Sequence, residues 1–146
     1  MRNIILLLVS FVLFLSSCAV EPSNNSFSLI EEDEKKISAL LNKMSVEEKV
    51  GQTCQITLDA ILQKDESNKL IEPHQIDLEK LDEAINKYKV GSILNVSNHT
   101  FTLEKWNGIV KTIQDVAAKS STGVPIIYGV DAIHGATYIQ KSTLFP

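Results

Sequence analysis

Residues 123–135 read Gly-Val-Pro-Ile-Ile-Tyr-Gly-Val-Asp-Ala-Ile-His-Gly. The apolar run from Ile126 to Val130 is typical of a strand covered on both faces, and Pro125 suits the start of a strand because no ladder donor is needed there. Asp131 follows the run directly. Because α/β folds place polar chemistry at the carboxyl ends of parallel strands, the stretch predicts a buried strand that carries Asp131 into a functional loop.

The sequence ahead of this stretch alternates between helical and strand-like patterns. Helical spacing of apolar residues predicts helices over residues 37–44, 78–88 and 103–117 and a further helix that carries Val46 and Val50. Ser45, Asp77 and Thr102 are the predicted caps, and strands are predicted over 54–58 and 90–96. Strands that alternate with crossover helices pair in parallel. An open doubly wound sheet and a closed barrel both fit this order, but no Gly-x-Gly-x-x-Gly follows a strand, which disfavours dinucleotide binding.

The amino terminus has the pattern of an export signal. Arg2 supplies a positive start, residues 4–15 form an apolar run too short to span a bilayer, and small residues precede Cys18. Leu-Ser-Ser-Cys resembles a bacterial lipobox, so residues 1–17 are predicted to be a lipoprotein signal peptide and Cys18 the lipidated residue. Residues 18–34 then form a flexible tether. The alternative is an ordinary secretory signal with an incidental cysteine.

Composition and cysteine content exclude several classes of function. The formal net charge is −4 and no block of Lys or Arg is present, which argues against nucleic acid as a partner. Cys54, the second of two cysteines, lies among apolar residues and is predicted to be a buried thiol without a disulfide. His134 is close to Asp131 in sequence, but no other side chain has ligand spacing with it, so neither a metal nor a cofactor is expected and a loop histidine bonded to backbone is favoured.

Four blocks of sequence carry a resemblance to a known family. They are Met44–Gln52, Val90–Asn95, the helix from Trp106 to Gln114, and residues 123–135 together with Thr143–Pro146. In this order and with this spacing they resemble the start of glycoside hydrolase family 3. The members that the chain looks most like are exported bacterial β-glucosidases.

The resemblance implies a fold and a division of the chain. The first domain of the family is a (β/α)₈ TIM-type barrel or a close variant. A complete barrel takes about 250 residues, so residues 35–146 are expected to hold about the first three βα units. The expected partners are therefore the remainder of the barrel, a membrane through lipid on Cys18, and a sugar. The expected location is the periplasm or cell envelope of a bacterium.

The resemblance also implies an activity. Family members hydrolyse β-linked glucosides with retention, which requires a nucleophile and an acid/base about 5 to 5.5 Å apart. By the resemblance both lie beyond Pro146, so no catalytic residue is expected in this chain, which should be inactive by itself. Asp131 matches a family aspartate that binds glucose hydroxyls. The alternative for Asp131 is a turn cap ahead of Gly135.

Two other readings of the chain differ in kind. One is a short lipoprotein that binds a sugar or a partner without catalysis, and it uses the same Asp131. The other is an α/β esterase or nucleotide enzyme, which is disfavoured because no Gly-x-Ser-x-Gly elbow or phosphate-binding glycine loop is present. Lys141 stands where many relatives have glycine, and this departure bears on the path of the loop after Ile139. Trp106 lies on an apolar helical stripe and is predicted to pack in the core.

Overall fold

The computed structural model describes residues 31–95, 100–133 and 135–142. The predicted signal peptide, Cys18, most of the tether, His134 and the closing Thr143–Pro146 block lie outside the described residues. The chain divides into two compact units, residues 1–35 and 36–146, and the sheet and the core belong to the second. None of the helices in the described part is long and apolar enough to cross a membrane.

The predicted order of helices and strands is confirmed. The elements are α1 (Glu31–Lys43), α2 (Val46–Gln52), β1 (Gln55–Thr57), a 3-10 turn (Leu58–Ile61), α3 (Leu78–Asp82) continued by a π-helical segment (Glu83–Lys87), β2 (Ser92–Asn95), α4 (Leu103–Ala117) and β3 (Ile127–Val130).

The helix starts form as their sequences predict. Ser45 and Glu48 make a reciprocal capping box at α2, with Ser45 Oγ accepting from Glu48 N and Glu48 Oε2 accepting from Ser45 N. The Asp77 carboxylate accepts from Glu79 N and Lys80 N in the first turn of α3, and these hydrogen bonds lower the pKa of Asp77, with the backbone bond from Lys80 contributing most. Thr102 Oγ1 accepts from Lys105 N at the start of α4. Each cap satisfies amides that have no partner within the helix.

The three strands form one parallel sheet in the order β1-β2-β3. Ile93, the central residue of the middle strand, pairs with Ile56 on one side and Tyr128 on the other. Among the described strands this order differs from the 2-1-3 arrangement of flavodoxin-like sheets, and it is shared by the opening strands of a (β/α)₈ barrel and by one half of a 3-2-1-4-5-6 doubly wound sheet. No reversal of strand order occurs among the described strands.

The core lies between one face of the sheet and the helices. α3 contributes Leu81, and the π-helical segment that continues it contributes Ala84 and Ile85. α4 contributes Ile109, Ile113 and Ala117, and both sets belong to one cluster with Ile93, which is fully buried. Both helices therefore cover the same face, as right-handed crossovers between adjacent parallel strands require. Trp106 packs against this core, as the sequence predicts.

The prediction that β3 is covered on both faces is wrong for the part of the chain that the structure describes. Ile127, on the face of β3 that points away from the helices, is 71% exposed. The physical reason is that α3 and α4 lie on one side of the sheet, so the residues facing the other side meet no described helix. The apolar sequence of β3 suits burial on both faces, but the described residues cover only the face that packs against α3 and α4.

The burial predicted for Cys54 is also wrong. Cys54 is exposed, because it precedes β1 and lies against the end of α2, where its Sγ is 3.5 Å from Val50 O, instead of under the core. Helix α1 forms but buries none of its own residues. Its apolar residues remain between one-third and one-half exposed, whereas Met44, just beyond it, is buried.

Candidate functional site

Asp131 lies at the carboxyl edge of the sheet, as predicted. β3 ends at Val130, and the Asp131 amide donates to Asn95 O at 3.2 Å, which adds a last rung to the β2–β3 ladder. The residue is exposed. Because side chains alternate along a strand, Asp131 belongs to the face opposite Val130 and Asn95, away from the helices. The carboxylate is thus presented on the open side of the sheet.

The Asp131 carboxylate has no hydrogen bond or ion pair with any residue that the structure describes. The turn that follows is instead closed by main-chain groups, since Gly135 N donates to Ala132 O at 3.0 Å and Thr137 N donates to Gly135 O at 2.8 Å. Neither of these two amides donates to the Asp131 side chain.

Glycines on either side of Asp131 set the path of the backbone. Gly135 has φ +88°, a conformation that side-chain-bearing residues rarely adopt. A Cβ on Gly129 would lie 3.0 Å from Leu94 Cδ1, so the absence of a side chain there lets Leu94 lie across the neighbouring strand. Both glycines serve geometry, as the sequence indicates.

The loop after Asp131 is tied to the segment that precedes α4. Phe101 N donates to Tyr138 O at 2.9 Å, Gln140 N donates to Phe101 O at 2.8 Å, and Phe101 pairs with Ile139 in an isolated parallel bridge. Lys141 has φ +64°. The backbone is therefore left-handed at Lys141, a conformation that glycine adopts with the least steric resistance.

A groove of 360 Å³ lies where the connections after all three strands converge. It is lined by Glu72, Pro73, His74, Thr100, Phe101, Thr102, Lys105 and Gln140. His74 Nδ1 lies 3.0 Å from Ile71 O, and its ring meets the Phe101 ring edge-on with 6.1 Å between centroids. The sequence assigned His74 no role. Nothing in a single segment indicates such a groove, because its walls come from three loops that are distant in sequence.

An aromatic row connects the groove with the sheet. Phe101 meets Trp106 at 6.2 Å and Trp106 meets Tyr128 at 5.6 Å, both in edge-on geometry that favours aromatic pairs. Burial raises the pKa of Tyr128 to about 12. The row fixes the outer side of β3 beneath the loop that carries Asp131. It acts through packing, because its members belong to the helix-facing layer.

Among residues 31–95, 100–133 and 135–142, no group of three His, Cys, Asp or Glu side chains is placed to hold a metal ion. The described residues provide an exposed carboxylate at a strand end, followed by a turn with a positive-φ glycine, and a groove between the three loops. Asp131 is not among the residues that line the groove, so the carboxylate and the groove are separate features.

These features define a parallel α/β unit with polar residues at the carboxyl ends of its strands. Residues 45–146 match the glycosyl hydrolase family 3 N-terminal domain, so the chain belongs to glycosyl hydrolase family 3. It is also 33% identical over 121 residues to a lysosomal beta glucosidase from Dictyostelium discoideum, over 75% of this chain and 14% of the relative. The chain therefore spans about one-seventh of the length of that relative.

Proposed function

We propose that this chain forms the sugar-recognising start of a retaining glycoside hydrolase that acts on β-linked glucosides. The observation that carries the proposal is the exposed Asp131 carboxylate at the end of β3, within the segment that matches the family. The relative named as a beta glucosidase supports the substrate class. The expected substrate is a β-glucoside or a β-linked oligosaccharide.

The proposed fold is the first part of a (β/α)₈ barrel, with residues 35–146 as its first three βα units. The parallel order β1-β2-β3 and the packing of both crossover helices on one face support it. In such a barrel the other face of each strand points inward and is covered by the remaining strands. Ile127, which is 71% exposed, is then an inward-facing residue that later strands would cover.

In the proposed mechanism Asp131 recognises the sugar and breaks no bond. An ionised carboxylate has two oxygens and accepts hydrogen bonds from two adjacent hydroxyls at once. Hydrogen bonds to a charged group contribute about 1.5 to 3 kcal/mol each, so Asp131 would orient the glucose ring relative to the reacting carbon. The nucleophile and the acid/base are proposed to come from sequence that follows residue 146.

We also propose that the protein is an exported bacterial lipoprotein. The support is the pattern of residues 1–17 followed by Cys18, together with a relative whose name places it in the lysosome, also outside the cytosol. Metabolic labelling with a radioactive fatty acid tests this proposal. Label is expected on the wild-type chain and should be lost on Cys18→Ser, while Cys54→Ser keeps it. Equal labelling of the wild-type and Cys18→Ser chains would exclude an anchor at Cys18.

The enzymatic proposal is tested in two steps with the purified 146-residue chain. It should not release the chromophore from p-nitrophenyl β-glucoside, because the two reacting carboxyls are proposed to lie elsewhere. A titration with glucose, followed by NMR, should shift the resonances of residues near Asp131. Detectable turnover by this chain would refute the placement of the catalytic pair.

The role of Asp131 is tested by Asp131→Asn beside Asp82→Asn. Asp82 is also an exposed aspartate, but it lies in α3 and accepts a hydrogen bond from Asn86 Nδ2 at 2.6 Å, which asparagine can still accept. Loss of one or two charged hydrogen bonds should weaken glucose binding on the order of 10- to 100-fold in Asp131→Asn and leave it unchanged in Asp82→Asn. Equal affinities of wild type and Asp131→Asn would refute the recognition role.

A further inference from the structure

Asn95 is the one polar residue found among the fully buried side chains of the described structure. Neither its Nδ2 nor its Oδ1 has a hydrogen-bond partner among the described residues. A buried amide without partners costs free energy, because the hydrogen bonds that it makes with water in the unfolded chain are not replaced. An unpaired amide of this kind requires a physical explanation.

Packing does not explain why asparagine stands at this position. Asn95 is two residues beyond Ile93 on the same face of β2, and Ile93 is a fully buried aliphatic residue. A leucine side chain has the same branched shape as asparagine and would suit an apolar layer better. The amide is therefore informative for its hydrogen-bonding groups, two N–H donors and one carbonyl acceptor.

The position of Asn95 connects it with the proposed sugar site. It is the last residue of β2, it pairs with Val130, and its carbonyl oxygen accepts from the Asp131 amide at 3.2 Å. This hydrogen bond is the last described rung between the two strands before they separate into loops. An interaction that holds Asn95 in place therefore also holds the backbone of Asp131 in place, through this hydrogen bond.

A single bound water molecule fits these observations. The amide is inaccessible to solvent, so a sugar does not reach it, whereas a single water molecule needs only about one probe sphere of space and two to four polar partners. Solvent comes close to this end of the sheet, since Val130 is 38% exposed and Asp131 is exposed. Buried waters typically satisfy polar groups of this kind.

We propose that the Asn95 amide holds an internal water molecule at the carboxyl end of β2, and that this polar centre keeps the Asp131 backbone in register. Asn95 is thus a positioning residue that acts on Asp131 through the backbone. The inference rests on the proposed function only where it assigns Asp131 to the sugar. The water site and its effect on the strand end are independent of any substrate.

The test compares Asn95→Ser with Asn95→Ala in the full 146-residue chain. The two side chains are of nearly equal size, but only serine keeps a hydroxyl that can bind the water. Amide hydrogen exchange at Asp131, measured by NMR, reports the Asn95–Asp131 rung. We expect exchange about three- to tenfold faster in Asn95→Ala than in Asn95→Ser, with the urea midpoint of Asn95→Ala no lower than that of Asn95→Ser.

Equal exchange at Asp131 in the two variants would overturn the proposal. So would a crystal structure that resolves the Asn95 amide with no water within about 3.2 Å of it. Ile93→Val serves as the control, since shortening this core residue should lower the urea midpoint without selective loss of protection at Asp131. Failure of the sugar assignment is read separately, from unchanged glucose binding in Asp131→Asn, and leaves the exchange comparison intact.

Discussion

Replacing Gly91 by alanine is expected to destabilise the fold more than any conservative change at the surface. Gly91 precedes β2, and a Cβ built on it would lie 2.2 Å from Gln52 O and 2.8 Å from Gln52 C and Cα. These atoms belong to the backbone at the end of α2, so no side-chain rotation relieves the overlap. The substitution must push α2 away from the sheet.

The cost follows from the hydrogen bonds that converge on this glycine. Gly91 N donates to Gly51 O at 3.1 Å and to Cys54 O at 3.3 Å, and Gly91 O accepts from Ile127 N at 3.0 Å. Overpacking costs about 1 to 3 kcal/mol, and loosening two such bonds adds about 0.5 to 1.5 kcal/mol each. Restricting the unfolded chain returns about 0.4 to 1 kcal/mol. The net expectation is a loss of about 1 to 5.5 kcal/mol, with a central value of about 3 kcal/mol.

Equilibrium unfolding in urea, followed by circular dichroism and Trp106 fluorescence, measures this loss. With the central loss of about 3 kcal/mol and a urea dependence of about 2 kcal/mol per molar, the midpoint should fall by about 1.5 M. The control is Gly108→Ala in α4, where an added Cβ meets no atom within 4 Å. There alanine should raise the free energy of unfolding by about 0.5 to 1 kcal/mol, because glycine disfavours a helix interior.

The two glycines therefore give opposite expected signs for the same chemical change. A Gly91→Ala midpoint at or above that of wild type would refute the reasoning, because it would show that the end of α2 does not contact the start of β2 as described. A loss of stability in Gly108→Ala as large as that in Gly91→Ala would refute it as well. The overlap of the added Cβ with the backbone of Gln52 would then not be what determines the loss of stability.

Two further predictions concern Tyr128 and Lys141. Burial raises the pKa of Tyr128 from 10.0 to about 12, so the folded state holds this proton more tightly than the unfolded state does. The contribution of Tyr128 to stability should be independent of pH below about pH 10 and should be lost between about pH 10 and 12. Over that range the urea midpoint of Tyr128→Phe should fall less steeply than that of wild type. Parallel slopes for the two proteins would contradict the assignment. Lys141→Gly should raise the free energy of unfolding by about 0.5 kcal/mol, since relief of a left-handed lysine exceeds the added entropy of the unfolded glycine. A lower urea midpoint for Lys141→Gly than for Lys141→Ala would show that the φ of +64° is not maintained in solution.

Local signals in the sequence proved sufficient for the elements and their ends. Ser45, Asp77 and Thr102 cap their helices as predicted, because a cap depends only on residues within one turn. The parallel sheet also follows from the alternation of strands and helices. Asp131 was found for the same reason, since a carboxylate that follows an apolar strand marks the strand's end in one short segment.

The burial of individual side chains and the groove formed where three loops meet could not be predicted in the same way. Cys54 has apolar neighbours in sequence, yet whether it is covered depends on how α2 meets β1 in space. The exposure of Ile127 depends on which face the crossover helices take. Asn95 drew no attention in a strand pattern that otherwise reads as apolar, because only the three-dimensional structure shows that its amide has no described partner.

The strand order described above also bears on how the chain acquires its structure during synthesis. Gln55 pairs with Ser92, and Ser92 pairs with Ile127, so each strand completes its ladder with the strand that left the ribosome just before it. No described strand has to wait for a distant segment, and the loops to be closed are of similar length. The fold can therefore grow by adding one strand and helix at a time to a template already in place. The spatial order of the described strands in the sheet is therefore the order in which they are translated.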